Sequence, residues 1–216
     1  MSNLSKADWS DPEKVKALAE SYEQRYGRKF WSAFYALLGY KLFPHVVDLG
    51  CGPGLFLSDA VKRLGATQVC GLDSSEEMLG YARNILGGQL PPNRIGIRRV
   101  NFDTDSLDLA GGTADLVFCG YLLHELQDPK SFIRSAADAL KTGGILLAFD
   151  FVSGDPDGFV SAMVERGMSE DEARRRYPHM CKHSLDDLVA LFNEAQLRDV
   201  SSQMVDSYRA MVKGVR

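Results

Sequence analysis

The order of apolar segments predicts a doubly wound α/β fold: a seven-stranded, mostly parallel sheet with helices on both faces and an N-terminal helical cap. Three observations carry this. Short apolar runs at residues 46–49, 68–72, 95–100, 115–119 and 145–151 have the length and continuity of strands buried on both faces. Helical patterns lie between most of them, and strands alternating with helices build parallel sheets. Directly after the first run, in "HVVDLGCGPG" (residues 45–54), Gly50, Gly52 and Gly54 crowd a tight bend. In open α/β sheets such a strand-to-helix loop at the carboxyl edge is where ligands bind.

With 216 residues the chain can bury the core of a single domain. No internal repeat or low-complexity linker divides it. We read residues 1–216 as one domain: an N-terminal helical cap (1–44), a ligand-binding core (45–151), an insertion or lid (152–183), and a C-terminal helix with two strands (184–216). The first helix starts in one of two ways. Either Ser10 caps it with Glu13 as capping-box partner, or Asp11 caps it with Pro12 in the first turn. An aromatic-rich helix follows from about Phe30. Residues 55–64 place Leu57, Ala60, Val61 and Leu64 on one face, and Gly65 stops that helix. The next clear start is Asp128-Pro129, with Ile133, Ala136, Ala137 and Leu140 on one face and an end at "KTGG", on Gly143. In the last third, Ser169 and Glu172 form a capping box, and Ser184 caps "HSLDDLVALFNEAQL". Weaker strands near 198–203 and 207–212 bring the count to seven.

Composition bounds the function. Apolar residues make up 45% and charged residues 25%, the balance of a soluble globular protein. A net charge of −4 gives no overall pull toward nucleic acid or anionic membrane. The short basic clusters Arg98-Arg99 and Arg174–Arg176 read as solvated faces. The N-terminal stretch lacks the apolar core of a secretory signal. The run at 30–43 is too short to span a membrane and contains Ser32, Gly39 and Lys41. Cys51, Cys70, Cys119 and Cys181 show no metal-ligand spacing. His179 and His183, four residues apart, can share a helical face but lack a third ligand. The expectation is a reduced, cytoplasmic protein without a structural metal or membrane attachment, a monomer or homodimer.

Two carboxylates sharpen the glycine loop. Asp73 ends the second strand, about 20 residues beyond the loop, where an acidic residue accepts hydrogen bonds from a ribose. Such a charge-assisted bond contributes ~1.5–3 kcal/mol. Asp48 stands immediately before the loop, where it would repel a pyrophosphate and attract a cationic ligand. The third glycine also arrives one residue earlier than a dinucleotide fingerprint requires.

The stretches "VVDLGCGPG", "GLDSSEEML", "NFDTDSL", "ADLVFCGYLLHELQDP" and "ALKTGGILLAFD" resemble the successive motifs of the class I S-adenosylmethionine-dependent methyltransferases, in that family's order and spacing. The resemblance covers about residues 46–150. It implies that Asp48, Gly50, Cys51 and Gly52 hold the methionine moiety, with the ammonium facing Asp48. Asp73 would take both ribose hydroxyls, Ser74 and Met78 would flank the adenine, and Asp103 would accept from its amino group beside Phe102 and Thr104. Cys119 and Gly120 would line the methyl end, with Tyr121 toward the substrate. His124 is the candidate general base, although the family's histidine here is often structural, and Asp150 is equally open. Cys119 has no histidine beside it in sequence and reads as packing or cofactor contact rather than a nucleophile.

Methyl transfer from a sulfonium needs an aligned nucleophile and a dry site more than a strong dyad; orientation alone can supply ~7–11 kcal/mol. The acceptor pocket is therefore expected in the flanks. The stripe Tyr22, Tyr26, Phe30, Trp31, Phe34 and Tyr35 reads first as core packing and second as a lid. Tyr22, Tyr26, Tyr121 and Tyr177 are the substrate-binding candidates. The segment with Tyr22, Tyr26 and Arg28 is expected to meet the insertion bearing Arg174–Arg176, Tyr177 and His179 above Gly120 and Tyr121. Three functions are compatible with the chain: a small-molecule methyltransferase, an RNA- or protein-directed one, and a non-catalytic binder of the same cofactor.

Overall fold

In the computed structural model, which describes residues 11–216, three short helices open the chain: α1 (Pro12–Glu20), α2 (Tyr22–Tyr26) and α3 (Arg28–Leu38). Strands and helices then alternate as β1 (His45–Leu49), α4 (Leu55–Arg63), β2 (Gln68–Asp73), α5 (Glu76–Gly87), β3 (Ile95–Arg99), β4 (Ala114–Gly120), α6 (Pro129–Asp138) and β5 (Leu140–Phe151). Helices α7 (Pro156–Glu165), α8 (Glu170–Met180) and α9 (Leu185–Glu194) precede the hairpin β6 (Arg198–Asp206) and β7 (Arg209–Val215). One sheet contains all seven strands in the order β3-β2-β1-β4-β5-β7-β6. Pairing is parallel from β3 through β5, and β7 runs antiparallel to both β5 and β6.

Alternation along each strand sends side chains to two cores. On β4, Leu116 and Phe118 join Phe30, Phe34, Phe56 and Leu57 from α3 and α4 on one face. Val117 and Cys119 join Phe132, Ile133, Leu188 and Phe192 from α6 and α9 on the other. Phe30, Phe34 and Leu38 recur at helical spacing and are at most 3% exposed, so each contributes roughly 1.5–3 kcal/mol of burial. The insertion builds a smaller cluster of its own from Phe151, Phe159, Met163, Ala173, Cys181 and Tyr208.

Local chemistry explains where the elements start and stop, and where expectation and structure part. Asp11 caps α1, accepting from the Glu13 N–H at 3.0 Å with Pro12 in the first turn; the alternative cap, Ser10, lies outside the described residues. The aromatic helix begins two residues early, at Arg28, and stops at Gly39. Helix α6 ends at Asp138, before "KTGG". Those residues belong to β5, where pairing jumps from Ala114↔Leu140 to Leu116↔Ile145, so residues 141–144 bulge out and Gly143 turns the bulge at φ +79°. Ser169 accepts from the Glu172 N–H at 3.3 Å, but the Glu172 carboxylate pairs with Arg176 at 2.8 Å rather than closing a capping box. Ser184 and Asp187 do close one. The last strand begins at Arg209 rather than at 207, because Asp206 accepts from the Tyr208 N–H and folds residues 207–208 into the hairpin turn.

The topology positions the site. Strand β1 lies between β2 and β4, so the chain leaves the sheet in opposite directions on its two sides and a crevice opens at the carboxyl edge. Asp48, Asp73, Gly120 and Asp150 all sit at or near the carboxyl ends of their strands.

Candidate active site

The loop after β1 uses left-handed backbone at Gly50 (φ +78°), Gly52 (φ +51°) and Gly54 (φ +78°). Two of these differ in what surrounds them. A Cβ on Gly54 would lie 2.8 Å from the Ala82 Cβ, so α4 and α5 demand glycine there for close packing. A Cβ on Gly52 would meet only the Met78 Sδ, at 4.0 Å, so that position faces open space. The loop's own N–H groups turn inward. Those of Gly50 and Cys51 donate to the Leu72 carbonyl (2.8 and 2.9 Å), and that of Gly52 donates to Asp73 Oδ2 at 2.8 Å. These amides brace the loop against the end of β2.

Asp73 also accepts from the Ser75 N–H at 2.9 Å, so its carboxylate braces the glycine loop and the start of α5. Burial raises its pKa, and the three backbone N–H groups of Ser75, Gly52 and Ser74 pull it back. Asp48 is 2% exposed and accepts no hydrogen bond from a described residue. Burial, with the Asp73 charge beside it, pushes the Asp48 carboxyl well above the usual range. A buried carboxyl poised this way suits a cationic partner and would resist an anionic one.

Farther along the edge, Met78 is buried and its N–H donates to Ser75 Oγ, while Ser74 is exposed and its carbonyl accepts from Arg99. Phe102 turns edge-on to Phe132 at 5.6 Å. Asp103 Oδ1 accepts from the Gln127 N–H at 3.1 Å, and the Thr104 hydroxyl donates to Asp105. Of these, Phe102, Asp103 and Phe132 line a hollow of about 550 Å³ together with Gln127 and Asp128; Ser74, Met78 and Thr104 lie outside its lining. A smaller hollow of about 250 Å³, lined by His45, Gln68 and Asn93, lies at the opposite, amino edge.

The end of β4 carries the aromatic half of the site. Cys119 is 1% exposed, and burial pushes its thiol up, which favours the packed thiol over the thiolate. Gly120 has no room for a Cβ, which would collide with the Tyr26 hydroxyl and with Phe118. Tyr121 follows in left-handed backbone at φ +56°, a costly conformation for a tyrosine. Its ring meets Tyr26 at 5.8 Å, Phe149 at 4.8 Å and Phe151 at 4.9 Å. Tyr121 therefore packs against both the N-terminal aromatic cluster and the insertion's cluster. Leu122 bends back over Gly50, within 3.3 Å of where its Cβ would be.

Beside this lies an acid–base network. His124 Nδ1 is 2.6 Å from Asp150 Oδ1, its backbone N–H donates to Asp150 Oδ2 at 3.2 Å, and its Nε2 is 3.4 Å from Glu125. His179 of α8 is also 3.4 Å from Glu125. Burial lowers the imidazole pKa, but the Asp150 and Glu125 carboxylates outweigh it and push it up to about 9. The hydrogen bond from His124 drops Glu125 to about 2. The two carboxylates thus favour the protonated imidazole over the neutral one.

Two substrate candidates are already engaged. The Tyr22 hydroxyl donates to Asp59 of α4 at 2.8 Å, and the Tyr177 hydroxyl accepts from the Gly154 N–H at 3.1 Å while its ring packs on Phe159. Helix α8 stops at Met180, so His183 lies beyond it and does not share a helical face with His179. Arg174 pairs with Glu170 and Asp157, and Arg176 with Glu172, which answers much of that basic cluster. Sequence reasoning missed Leu122, Arg209 and Asp206. Arg209 is 4% exposed and donates to the Tyr121 hydroxyl at 2.8 Å and to Asp206 at 2.6 Å. Its only sequence signal is an arginine opening an apolar strand.

The comparisons agree with this architecture. The family model for a methyltransferase domain matches residues 23–202. The ubiquinone biosynthesis O-methyltransferase of Albidiferax ferrireducens is 33% identical over 120 residues, which is 55% of this chain and 45% of that protein. The chain spans about half the length of the curated relatives it matches. Among solved structures, a SAM-dependent methyltransferase from Aquifex aeolicus superposes with a TM-score of 0.69 at 22% identity, covering 94% of this chain and 97% of that one. A chain of the Haloferax volcanii complex between the Trm112 methyltransferase activator and the putative methyltransferase superposes with a TM-score of 0.70 at 20% identity, covering 98% and 99%. On this match and this fold, the chain belongs to the methyltransferase-domain family.

Proposed function

We propose that this chain transfers a methyl group from S-adenosylmethionine to a small-molecule acceptor. The observation that supports it most is Asp48: a carboxyl 2% exposed, without a hydrogen-bond partner among the described residues, at the switch point of the sheet. An aminoacyl ammonium would supply the missing charge, and the open side of Gly52 leaves room for backbone contact. Asp73 has lone pairs beyond those used by Gly52 and Ser75, which fits ribose hydroxyls. Met78 and the Phe102–Thr104 turn would border the adenine. Bound there, the cofactor would supply an electrophilic methyl on a sulfonium.

The chain's own part is to align and to dry. Tyr26, Tyr121 and Phe149 form the apolar wall at the end of β4 and exclude water from it. His124, as the imidazolium, pins Asp150 and Glu125 and fixes the turn after β4. It becomes a proton acceptor only as pH rises through about 9. We place the protein in the cytoplasm as a monomer or homodimer, a placement that the four unbridged cysteines support. The ion-paired Arg174 and Arg176 favour a small acceptor over RNA.

Calorimetry tests the reading. S-adenosylhomocysteine should bind and NAD should not. Because a cation at Asp48 favours its ionised form, binding at mildly acidic pH should release a proton, seen as a heat that varies with buffer ionisation enthalpy. Tight NAD binding with no heat from S-adenosylhomocysteine would sink the proposal.

A further inference from the structure

Three guanidinium groups from distant parts of the chain lie along Tyr26, Tyr121 and Tyr208. Arg209, the first residue of β7, reaches the Tyr121 hydroxyl and lies over the rings of Tyr208 (5.3 Å) and Phe149 (5.6 Å). Arg166, just past α7, donates to the Tyr208 hydroxyl at 3.3 Å. Arg25 of α2 lies over the Tyr26 ring at 5.5 Å, and its carbonyl is 3.5 Å from Arg209 Nη1.

Their charges are unequally answered. Asp206 binds Arg209 through Nε and Nη2. Neither Arg25 nor Arg166 forms an ion pair with a carboxylate among the described residues. Arg25 donates from Nη2 to the Leu18 carbonyl, while its Nε–H is buried with no partner. The nearby acids are Asp206, Glu165 facing Tyr208, and Asp48 and Asp150 facing Tyr26. Burial raises the Tyr121 hydroxyl pKa, and Arg209, Arg25 and Arg166 all pull it down, so the field of the cluster reaches the end of β4. A half-buried guanidinium without a counter-charge is costly, and an anion bound beside Arg25 and Arg166 would supply that charge.

We propose that Arg25 and Arg166, with Arg209 behind them, form a recognition site for an anionic group, a carboxylate or a phosphate, carried by the methyl acceptor. The inference rests on the methyltransferase reading, which puts Tyr121 on the acceptor side. Guanidinium forks suit both anions, since each presents paired oxygens to paired N–H donors. Asp206 keeps Arg209 fixed and supports Tyr121 in its left-handed backbone. Arg25 and Arg166 stay available for the ligand. The acceptor would thus be held by its charged end while the aromatic wall of Tyr26 and Tyr121 orients the rest.

The test is a titration of the protein loaded with S-adenosylhomocysteine, using benzoate, phenyl phosphate and benzamide as probes, with cofactor-free protein titrated in parallel. At least one anion should bind, and the neutral amide should bind about tenfold more weakly or worse. Benzoate alone points to a carboxylate, phenyl phosphate alone to a phosphate, and both to a shared anion site. Arg25→Gln and Arg166→Gln should each weaken the bound anion by about tenfold, and the lysine variants should recover part of it, all with unchanged S-adenosylhomocysteine affinity. Benzamide binding as tightly as the anions would overturn the inference. So would glutamine variants that leave anion affinity intact, or no anion binding at all. Failure of the wild-type protein to bind S-adenosylhomocysteine would remove the methyltransferase reading instead, and the cofactor-free titration would still decide the arginine site.

Discussion

The two halves of the site are built in different ways. The proposed cofactor half is local: Asp48 and the glycine loop lie within seven positions (48–54), and Asp73 with its helix start follows on the neighbouring strand. Its hydrogen bonds start from backbone N–H groups, with Gly50 and Cys51 donating to the Leu72 carbonyl and Gly52 and Ser75 to the Asp73 carboxylate. The proposed acceptor half is assembled from far apart. Arg209 meets Tyr121 across 88 residues and Arg25 across 184. The first half is held by strand pairing, which leaves little freedom to vary. The second is held by side chains on separate elements, each exchangeable without dismantling the sheet, and this is where acceptor choice can be changed.

Substitutions can break or sharpen that contrast. The largest effect is expected at Gly54→Ala, which combines a left-handed alanine with a Cβ pressed on Ala82. Together these cost about 3 kcal/mol, or roughly 6–12 °C in Tm. Gly52→Ala should fold with a smaller loss but lose S-adenosylhomocysteine binding, because its Cβ enters open space on the ligand side. Undiminished S-adenosylhomocysteine affinity in Gly52→Ala would mean that the open side of Gly52 has no bearing on binding.

Asp73→Ala removes the acceptor for the backbone N–H groups of Gly52 and Ser75 as well as the proposed ribose contact. We expect at least tenfold weaker cofactor binding together with a stability loss of about 2 kcal/mol. An isolated loss of affinity, with Tm unchanged, would show that the brace on the loop carries no stability.

The pH dependence of stability tests the second half. The His124 pKa is raised from 6.5 to about 9 in the folded protein, so its contribution is fully present below pH 6.5 and is lost as pH rises through about 9. Glu125, lowered from 4.5 to about 2, contributes above pH 4.5 and loses that contribution as pH falls through about 2. Thermal melts should therefore show a plateau between about pH 4.5 and 6.5 for this network and a decline on the alkaline side. In His124→Asn the alkaline decline should flatten. An identical alkaline limb in wild type and variant would exclude a charged His124.

The smallest effect is expected from Tyr121→Phe, which keeps the ring and loses the bond to Arg209, at about 1 kcal/mol. Acceptor turnover should change while S-adenosylhomocysteine affinity stays put. A parallel fall in cofactor affinity would mean that the two halves are not separable.

What could be read in the chain before folding follows the same division. The strand runs, the glycine bend, the caps at Asp11, Asp128 and Ser184, and the acidic residues at strand ends are all short-range signals. Apolar periodicity and turn chemistry fix them within a few positions, so the sheet and the Asp48–Asp73 pair were legible. Where a local signal competed with pairing, pairing won: "KTGG" reads as a helix stop but is a bulge in β5, because Leu116 must pair with Ile145. The acceptor half left almost no local trace. Whether Tyr22 and Tyr177 face a ligand or tie down Asp59 and Gly154, and whether His124 is a base or a paired imidazolium, depends on charges and donors brought in by other elements. Arginine 209 becomes a site residue only because β7 inverts beside β5 and places it against Tyr121. A backbone motif is determined by its neighbours in sequence; a buried side chain's protonation and partners are determined by what the tertiary packing sets within a few ångströms of it, and that is why the sequence spoke for the loop and the fold decided the pocket.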